Sequence, residues 1–540
     1  MTTTDAQAAA AAGAPAPDAL TSAWAPLRHK WFRLLWMAQL ASSMGGWMQT
    51  VAAQWLMLTL TSAALPVALV QTALSLPVVL VGLPAGALGD VMDRRRLLIV
   101  AQAIMLVAAA TLAALTYVGL MSPWLLLAFT FLIGTGGALM APAWMAIQPG
   151  LVAREEIPQA TALNAVNINL SRAVGPAIGG VVVAGAGPAA AFGLNAVSFL
   201  GVLAAIIRWP HRPDPRPLGA EPFVSAMRTG LSYVRHSPPV QAVLVRVSLF
   251  LLFAAGLWAL LPIVAARQLH LGSAGYGMLL GLIGVGAVVG ALLLTQARSR
   301  FGLEAVVSVC TVMFGLGMAV LAASHSLWPV MIVLPLMGAA WIGSLSSISA
   351  AAQTSLPGWV RARAMAVYLL VFQGTQALGS VVWGAFAQSY GFGLALEIAA
   401  AGVVVGPLAA SGYRLRLGAY YEREIVPYWP EPQIGPRARQ DSGPVLVVSE
   451  YQVPPEHAEE FEDAMRLVRG SRRRLGAQRW NLYRDAVDPT RYVETYTANS
   501  WQEHMRQHTE RVTEADRMLE SIALKYARGE PRTTHLIATE

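Results

Sequence analysis

The chain has 540 residues, of which 13% are charged and 55% hydrophobic. Residues 411–540 hold 19 Lys and Arg with 20 Asp and Glu, leaving 19 basic and 10 acidic residues for the first 410. So few charges cannot coat a soluble domain of that size, so the composition excludes an ordinary soluble protein and predicts a membrane part with a soluble tail.

Residues 1–31, rich in Ala, Pro and Thr and without a signal-peptide core, are predicted to form a disordered leader. A membrane helix needs ~20 mostly apolar residues to cross ~30 Å of hydrocarbon. Twelve such spans follow, over 32–60, 66–89, 97–119, 123–150, 158–185, 189–208, 240–265, 274–297, 304–323, 328–352, 363–389 and 391–411. With the N-terminus inside, cytoplasmic segments receive 16 Lys and Arg and the outer loops one, Arg267, which orients the chain with both ends cytoplasmic. The Pro-rich linker 209–238, with an amphipathic stretch from Phe223 to Val234, separates six-span bundles at 32–208 and 239–412. A second linker, 413–443, leads to a domain at 444–540.

Span 1 carries Gln39, Ser42, Ser43, Gln49 and Gln54, and span 2 carries Gln71. Between spans 2 and 3 the chain reads Gly86-Ala-Leu-Gly-Asp90-Val-Met-Asp93-Arg94-Arg95-Arg96. A carboxylate at a membrane helix end is costly unless paired, so Asp90 is expected to meet Arg94 or Arg95, or to cap span 11. Gly86 lets spans 2 and 11 approach closely.

In span 5, Gly175-Pro176-Ala-Ile-Gly179-Gly180 combines a residue that bends helices with others that permit close packing. At 100° per residue, Asn164, Asn167, Ser171 and Gly175 form one stripe with Arg172 beside it. Leu163, Val166 and Leu170 lie on the opposite arc, expected to face lipid. A mid-bilayer arginine costs ~2.5–3.5 kcal/mol even on insertion scales. Arg172 therefore faces either a cavity, as donor to an anionic or acceptor-rich substrate, or the carbonyls and amides of neighbouring helices. Arg246 in span 7 is expected to snorkel. Span 10 holds Ser344, Ser346, Ser347 and Ser349, and Glu397 in span 12 is a candidate proton carrier.

The halves echo each other at an offset of 204 residues. Gly86 matches Gly290, Arg94 matches Arg298, and Gly134 matches Gly338. In the same register Arg172-Ala-Val-Gly175 matches Gln376-Ala-Leu-Gly379, and Gly180 matches Gly384. Parallel six-span repeats describe a rocking transporter with its site between the halves.

In the tail a strand (445–451), a helix from Pro455 to about Val468 and a basic loop, Arg472–Arg474, come first. Strands near 479–485 and 491–496, a helix capped at Ser500 with Glu503 completing a capping box, and a strand at 533–538 complete a βαββαβ order, which is ferredoxin-like. His504 and His508 fall one turn apart, but with no third ligand in view they are expected to lie on a solvated helix face. No metal is expected there. A single cysteine, Cys310, excludes a disulfide framework or a Cys-based zinc site, and the basic excess of the membrane part does not imply nucleic-acid binding.

The 86–96 segment resembles the signature loop of the major facilitator superfamily, Gly-x-Leu-Ala-Asp-Arg-x-Gly-Arg-Arg, at Gly86, Leu88, Asp90 and the basic cluster. Val91 stands for its first Arg and Asp93 for its second Gly. The 175–180 run resembles the Gly-Pro-x-x-Gly-Gly motif of the superfamily's exporters, and the whole pattern is similar to the branch containing the enterobactin exporter and macrolide efflux pumps. That resemblance implies an all-α polytopic membrane protein, twelve transmembrane helices in two pseudo-symmetric six-helix halves, plus a small C-terminal α+β domain. It also implies a latch of Gly86, Asp90, Arg94 and Arg95, bending at Gly175, Pro176, Gly179 and Gly180, and a cavity fed by Gln39, Gln49, Asn164, Asn167 and Arg172. The implied function is proton-coupled export of a siderophore-like or drug-like molecule from a bacterial plasma membrane by alternating access, with no cofactor and no enzymatic activity. The tail looks like a dimeric α/β-barrel module of the antibiotic-biosynthesis-monooxygenase kind, which implies homodimer formation. The rival readings are a membrane-anchored enzyme or a ligand sensor whose activity sits in the tail.

Overall fold

The computed structural model describes residues 22–210, 223–415 and 442–539, with backbone alone at residues 83, 86–91 and 223–226. Most of the expected leader lies outside the described residues. Its last part is folded: Ala25–Arg28 is a 3-10 turn with Ala25 and Pro26 buried, and the first helix begins at Lys30.

The N-terminal half comprises α1 (Lys30–Leu60), α2 (Ala64–Val91), α3 (Arg94–Tyr117), α4 (Pro123–Ile147) and α5 (Ile157–Arg208). Local chemistry sets the starts. Ser122 accepts from the Leu125 N–H ahead of Pro123, and Asp93 accepts from the Arg96 N–H at 2.9 Å to cap α3. Asp93 has φ −62°, so the glycine of the superfamily loop is not needed here. α5 contains two spans. It breaks at Gly187 (φ 80°, ψ 168°), and Pro188 restarts it.

An amphipathic helix, α6 (Phe223–His236), leads to α7 (Pro238–Ile263), α8 (Ser273–Phe301), α9 (Leu303–Ala323), α10 (Leu327–Thr354), α11 (Gly358–Tyr390) and α12 (Phe392–Ala409). Ten segments of the described chain are long and apolar enough to cross a membrane by composition. The glutamine-bearing α1 lies outside that set and α5 crosses twice, which gives twelve crossings.

The 204-residue offset reappears as packing. A Cβ on Gly134 of α4 would meet the Ala73 carbonyl of α2 at 3.0 Å, and one on Gly338 of α10 would overlap the Ile283 carbonyl of α8. A Cβ on Gly175 would stand 2.7 Å from Trp47 Cβ of α1, and one on Gly379 2.7 Å from Ala255 Cβ of α7. Gly180 abuts Ser273 of α8, and Gly384 abuts Ala68 of α2. The first two pairs build each half, and the third joins the halves. Gln54 Nε2 donates to the Trp258 carbonyl at 3.2 Å. These residues are themselves 204 apart, and pseudo-equivalent positions touch only on the symmetry axis, so the axis passes between them.

The C-terminal domain is a four-stranded antiparallel sheet in the order β2-β3-β1-β4, with β1 (Val445–Gln452), β2 (Gln478–Arg484), β3 (Arg491–Ala498) and β4 (Arg532–Ile537). Together with α13 (Ala458–Arg474), α14 (Trp501–Arg506) and α15 (Glu514–Leu524) it forms the ferredoxin-like order, over a core that includes Val447, Phe461, Trp480 and Tyr492. It rests on α6 and on the start of α11: Ser232 Oγ donates to the Arg473 carbonyl at 2.9 Å, and the Arg511 guanidinium lies 5.0 Å from the Trp359 ring centre. Two details differ from the sequence reading. Arg472–Arg474 end α13 rather than forming a loop. Ser500 caps α14, but the Glu503 carboxylate turns to Arg511 at 2.6 Å and leaves the capping box half made.

Candidate functional site

Between the halves lies a cavity of about 690 Å³, within the size range of small-molecule sites. On the side away from the C-terminal domain the halves are tied together at helix ends. Arg267 donates to the Ser62 carbonyl at 2.6 Å, the Leu65 N–H to Gln388 Oε1 at 3.3 Å, and Ser273 Oγ to the Gly180 carbonyl at 3.3 Å. Deeper in, the Tyr276 hydroxyl donates to Gln54 Oε1.

α5 delivers Arg172 to the cavity wall. Its guanidinium lies 5.9 Å from the Trp47 ring centre, and no carboxylate pairs with it among the described residues. Trp258, Trp341, Tyr368 and Phe372 add aromatic faces, and Gln71, Gln373, Ser346 and Ser349 add hydrogen-bonding groups. Gln376, the repeat partner of Arg172, also lines the cavity, and its buried Oε1 has no hydrogen-bond partner among the described residues. Among the described residues the lining contains no Asp or Glu, and the formal charge they bring to it is positive. Such a wall suits an anionic or acceptor-rich ligand with ring systems.

The other cavity candidates lie elsewhere. Gln39, Asn164 and Asn167 border a separate narrow crevice between α1, α4 and α5, where Asn167 Nδ2 donates to the Trp36 carbonyl at 3.4 Å. Gln49 is buried and accepts a hydrogen bond from Asn195, joining α1 to the second segment of α5. The physical reason is close approach. Gly175 and Gly179 bring α1 onto α5, which leaves the Asn167–Ser171–Gly175 stripe buried against α1, and only the neighbouring arc at Arg172 faces open space. Leu163, expected in lipid, is buried with Phe32, whereas Val166 and Leu170 are exposed. Gly175, Pro176, Gly179 and Gly180 lie within the first span of α5, where the glycines admit α1 and α8 closely, and the non-helical residue Gly187 separates that span from the next.

The Gly86 and Asp90 side chains lie outside the described residues. Arg94 opens α3. Arg95 donates to the Ile206 carbonyl at 3.1 Å and to that of Ile207, so it caps the end of α5. Glu397 is exposed on α12 and does not line the cavity. Arg246 is buried rather than snorkelling: it pairs with Glu304 and donates to the Tyr413 carbonyl at 3.1 Å.

In the C-terminal domain, buried Arg472 lies between Glu494 (3.1 Å) and Glu520 (2.9 Å). Glu494 also accepts from Trp480 Nε1 at 2.7 Å and from the Tyr451 hydroxyl at 2.8 Å. Burial, reinforced by Glu494, holds that hydroxyl well above the usual tyrosine range. The expected solvated histidine face is in fact internal, because α14 and the π turn Gln507–Arg511 pack on the sheet. His504 and His508 are 0% and 6% exposed. Burial first, then neighbouring imidazoles, pushes His504 down to about 4 and His508 to about 3. The missing third histidine is His535 on β4, which sequence spacing could not bring to the other two.

The fold is that of solved membrane transporters. A bacterial homologue of the iron transporter ferroportin, in an inward-facing state, superposes with TM-score 0.57 at 14% identity, covering 71% of this chain and 98% of that one. The nucleoside transporter NupG gives TM-score 0.58 at 13% identity over 71% and 99%. In sequence, the enterobactin exporter EntS of Citrobacter koseri is 30% identical over 221 residues, 40% of this chain and 50% of that protein. The chain thus spans about half the length of the enterobactin exporters it matches. The staphyloferrin A transporter of Staphylococcus aureus is 21% identical over 351 residues, 64% of this chain and 87% of that protein. Residues 21–540 match the transmembrane secretion effector family along their whole length, and the chain belongs to that family.

Proposed function

We propose that the chain is a proton-coupled exporter, moving an anionic or acceptor-rich small molecule of the siderophore or drug class across a bacterial plasma membrane by alternating access. Arg172 in the wall of the central cavity carries this reading. A guanidinium near mid-bilayer without a protein carboxylate is costly, and a bound oxyanion supplies the missing partner. Two halves that meet on an axis beside this cavity match the architecture of rocking transporters. The relatives named for enterobactin and staphyloferrin A motivate the substrate class.

The excess of Lys and Arg on one side supports a cytoplasmic position for both ends and for the C-terminal domain. The ties between the halves on the opposite side are what supports an inward-facing arrangement. Gly86, Asp90 and Arg94 remain the proposed latch. The described lining holds no acid, so the proton-exchanging group is sought outside it.

The test is transport by the full chain in proteoliposomes under an imposed pH gradient, with enterobactin as the first probe and a panel of drug-like anions beside it. Accumulation that collapses with the gradient and is lost in Arg172→Gln is expected. No gradient-dependent accumulation of any probe by the wild type would sink the reading. Asp90→Asn is expected to impair transport while leaving membrane insertion intact, and full transport by that variant would remove Asp90 from the latch.

A further inference from the structure

The C-terminal domain carries a cluster that the transport reading does not use. His504 and His508 stand four residues apart across α14 and the π turn, with their Nε2 atoms 3.1 Å apart. His535, on edge strand β4, brings a third ring, and one ligating nitrogen from each histidine falls within 4.8 Å of the others. Both helix histidines are buried and His535 is half-buried. His535 Nε2 makes no hydrogen bond among the described residues.

We propose that His504, His508 and His535 form a three-imidazole site for a first-row divalent transition-metal ion, with Zn²⁺ as the reference ligand. Metal–nitrogen bonds of about 2.0–2.1 Å on a tetrahedral ion place two nitrogens about 3.3–3.4 Å apart. The His504–His508 pair already approaches that separation. A side-chain rotation of the half-buried His535 brings the third nitrogen to the same separation. Three neutral imidazoles are borderline ligands that suit Zn²⁺, Cu²⁺, Ni²⁺ or Co²⁺ rather than Ca²⁺ or Mg²⁺.

Charged and aromatic groups enclose the cluster. Arg472, with Glu494 and Glu520, forms a buried group whose formal charge is −1 when both carboxylates are ionised. It borders the cluster through Tyr496, whose ring lies 5.5 Å from the Arg472 guanidinium and 6.5 Å from the His504 ring. Trp501 closes another side, 5.7 Å from His504 and 5.8 Å from His535. The half-buried His535 marks the entry path. With three protein ligands the fourth position stays open to water or to an exogenous ligand. The competing explanation is a hydrogen bond between the two helix histidines with no ion.

The full chain, purified in detergent without a histidine tag and stripped with a chelator, is the material for the test. Zn²⁺ titration with metal analysis is expected to give about one ion more per wild-type chain than per His535→Gln chain, whose affinity falls by about 100-fold or more, beyond what loss of an outer-sphere contact causes. Co²⁺ is expected to give the intense visible bands of a tetrahedral site in the wild type and not in the variant. Matching melting curves of the two metal-free proteins show that the variant is folded. If the variant does not fold, the wild-type Co²⁺ spectrum decides alone. A wild type that binds no more Zn²⁺ than a folded His535→Gln, or shows no tetrahedral Co²⁺ bands, overturns the site and leaves a hydrogen-bonded histidine pair.

Discussion

The two halves of the membrane bundle share their packing and differ in their chemistry. At offset 204, glycine stands opposite glycine and makes the equivalent helix contact: α4 on α2 and α10 on α8, α5 on α1 and α11 on α7. Where the same offset reaches the cavity, the pairs diverge. Arg172 corresponds to Gln376, and Gln54 corresponds to Trp258, whose carbonyl it meets. Close packing tolerates only a missing side chain, so duplication preserves it. A cavity wall has room for different side chains, and the site's one charge comes from one half alone.

The strongest break of this comparison is steric. A methyl group at Gly338 would overlap a backbone carbonyl, whereas at Gly134 the nearest atoms stand 3.0 Å away. Gly338→Ala is expected to cost more, at the upper end of the usual overpacking range of about 1–3 kcal/mol. Melting curves of the two variants in detergent check this, and equal losses would mean that the halves pack alike in detail. Next comes the charge. Arg172→Gln makes the N-terminal position copy its repeat partner and removes a charged hydrogen-bond donor worth about 1.5–3 kcal/mol. An anionic probe should therefore bind roughly 10- to 100-fold more weakly, with protein stability retained because no carboxylate is left behind. Gln54→Leu is smaller. It removes the donor on the axis and orphans the Tyr276 hydroxyl, so a loss of about 1 kcal/mol is expected, with faster hydrogen exchange at the end of α7. Smallest is Glu397→Gln on the bundle's outer surface, for which unchanged gradient-driven transport is expected. A loss of pH dependence there would return Glu397 to the mechanism.

Much of this was legible in the chain itself. Hydropathy and charge placement determine the number and positions of the membrane helices, because desolvating a backbone in lipid leaves little alternative to a helix of fixed length. The 204-residue echo shows that there are two halves, and it points from Arg172 to Gln376, which sequence inspection alone left unused. The tail's alternating strands give its ferredoxin-like order. Helical periodicity also places Asn164, Asn167 and Arg172 on one side of α5, but it cannot say which neighbour fills that side. The backbone of α1, admitted by Gly175 and Gly179, buries Asn167 and leaves Arg172 to the cavity. Likewise His504 and His508 are neighbours by helical spacing, whereas His535 joins them only because β4 pairs with β1 and brings it beneath α14. Local pattern fixes what each segment is. Contacts between segments distant in sequence, set by which surfaces fit at close range, decide which side chains meet.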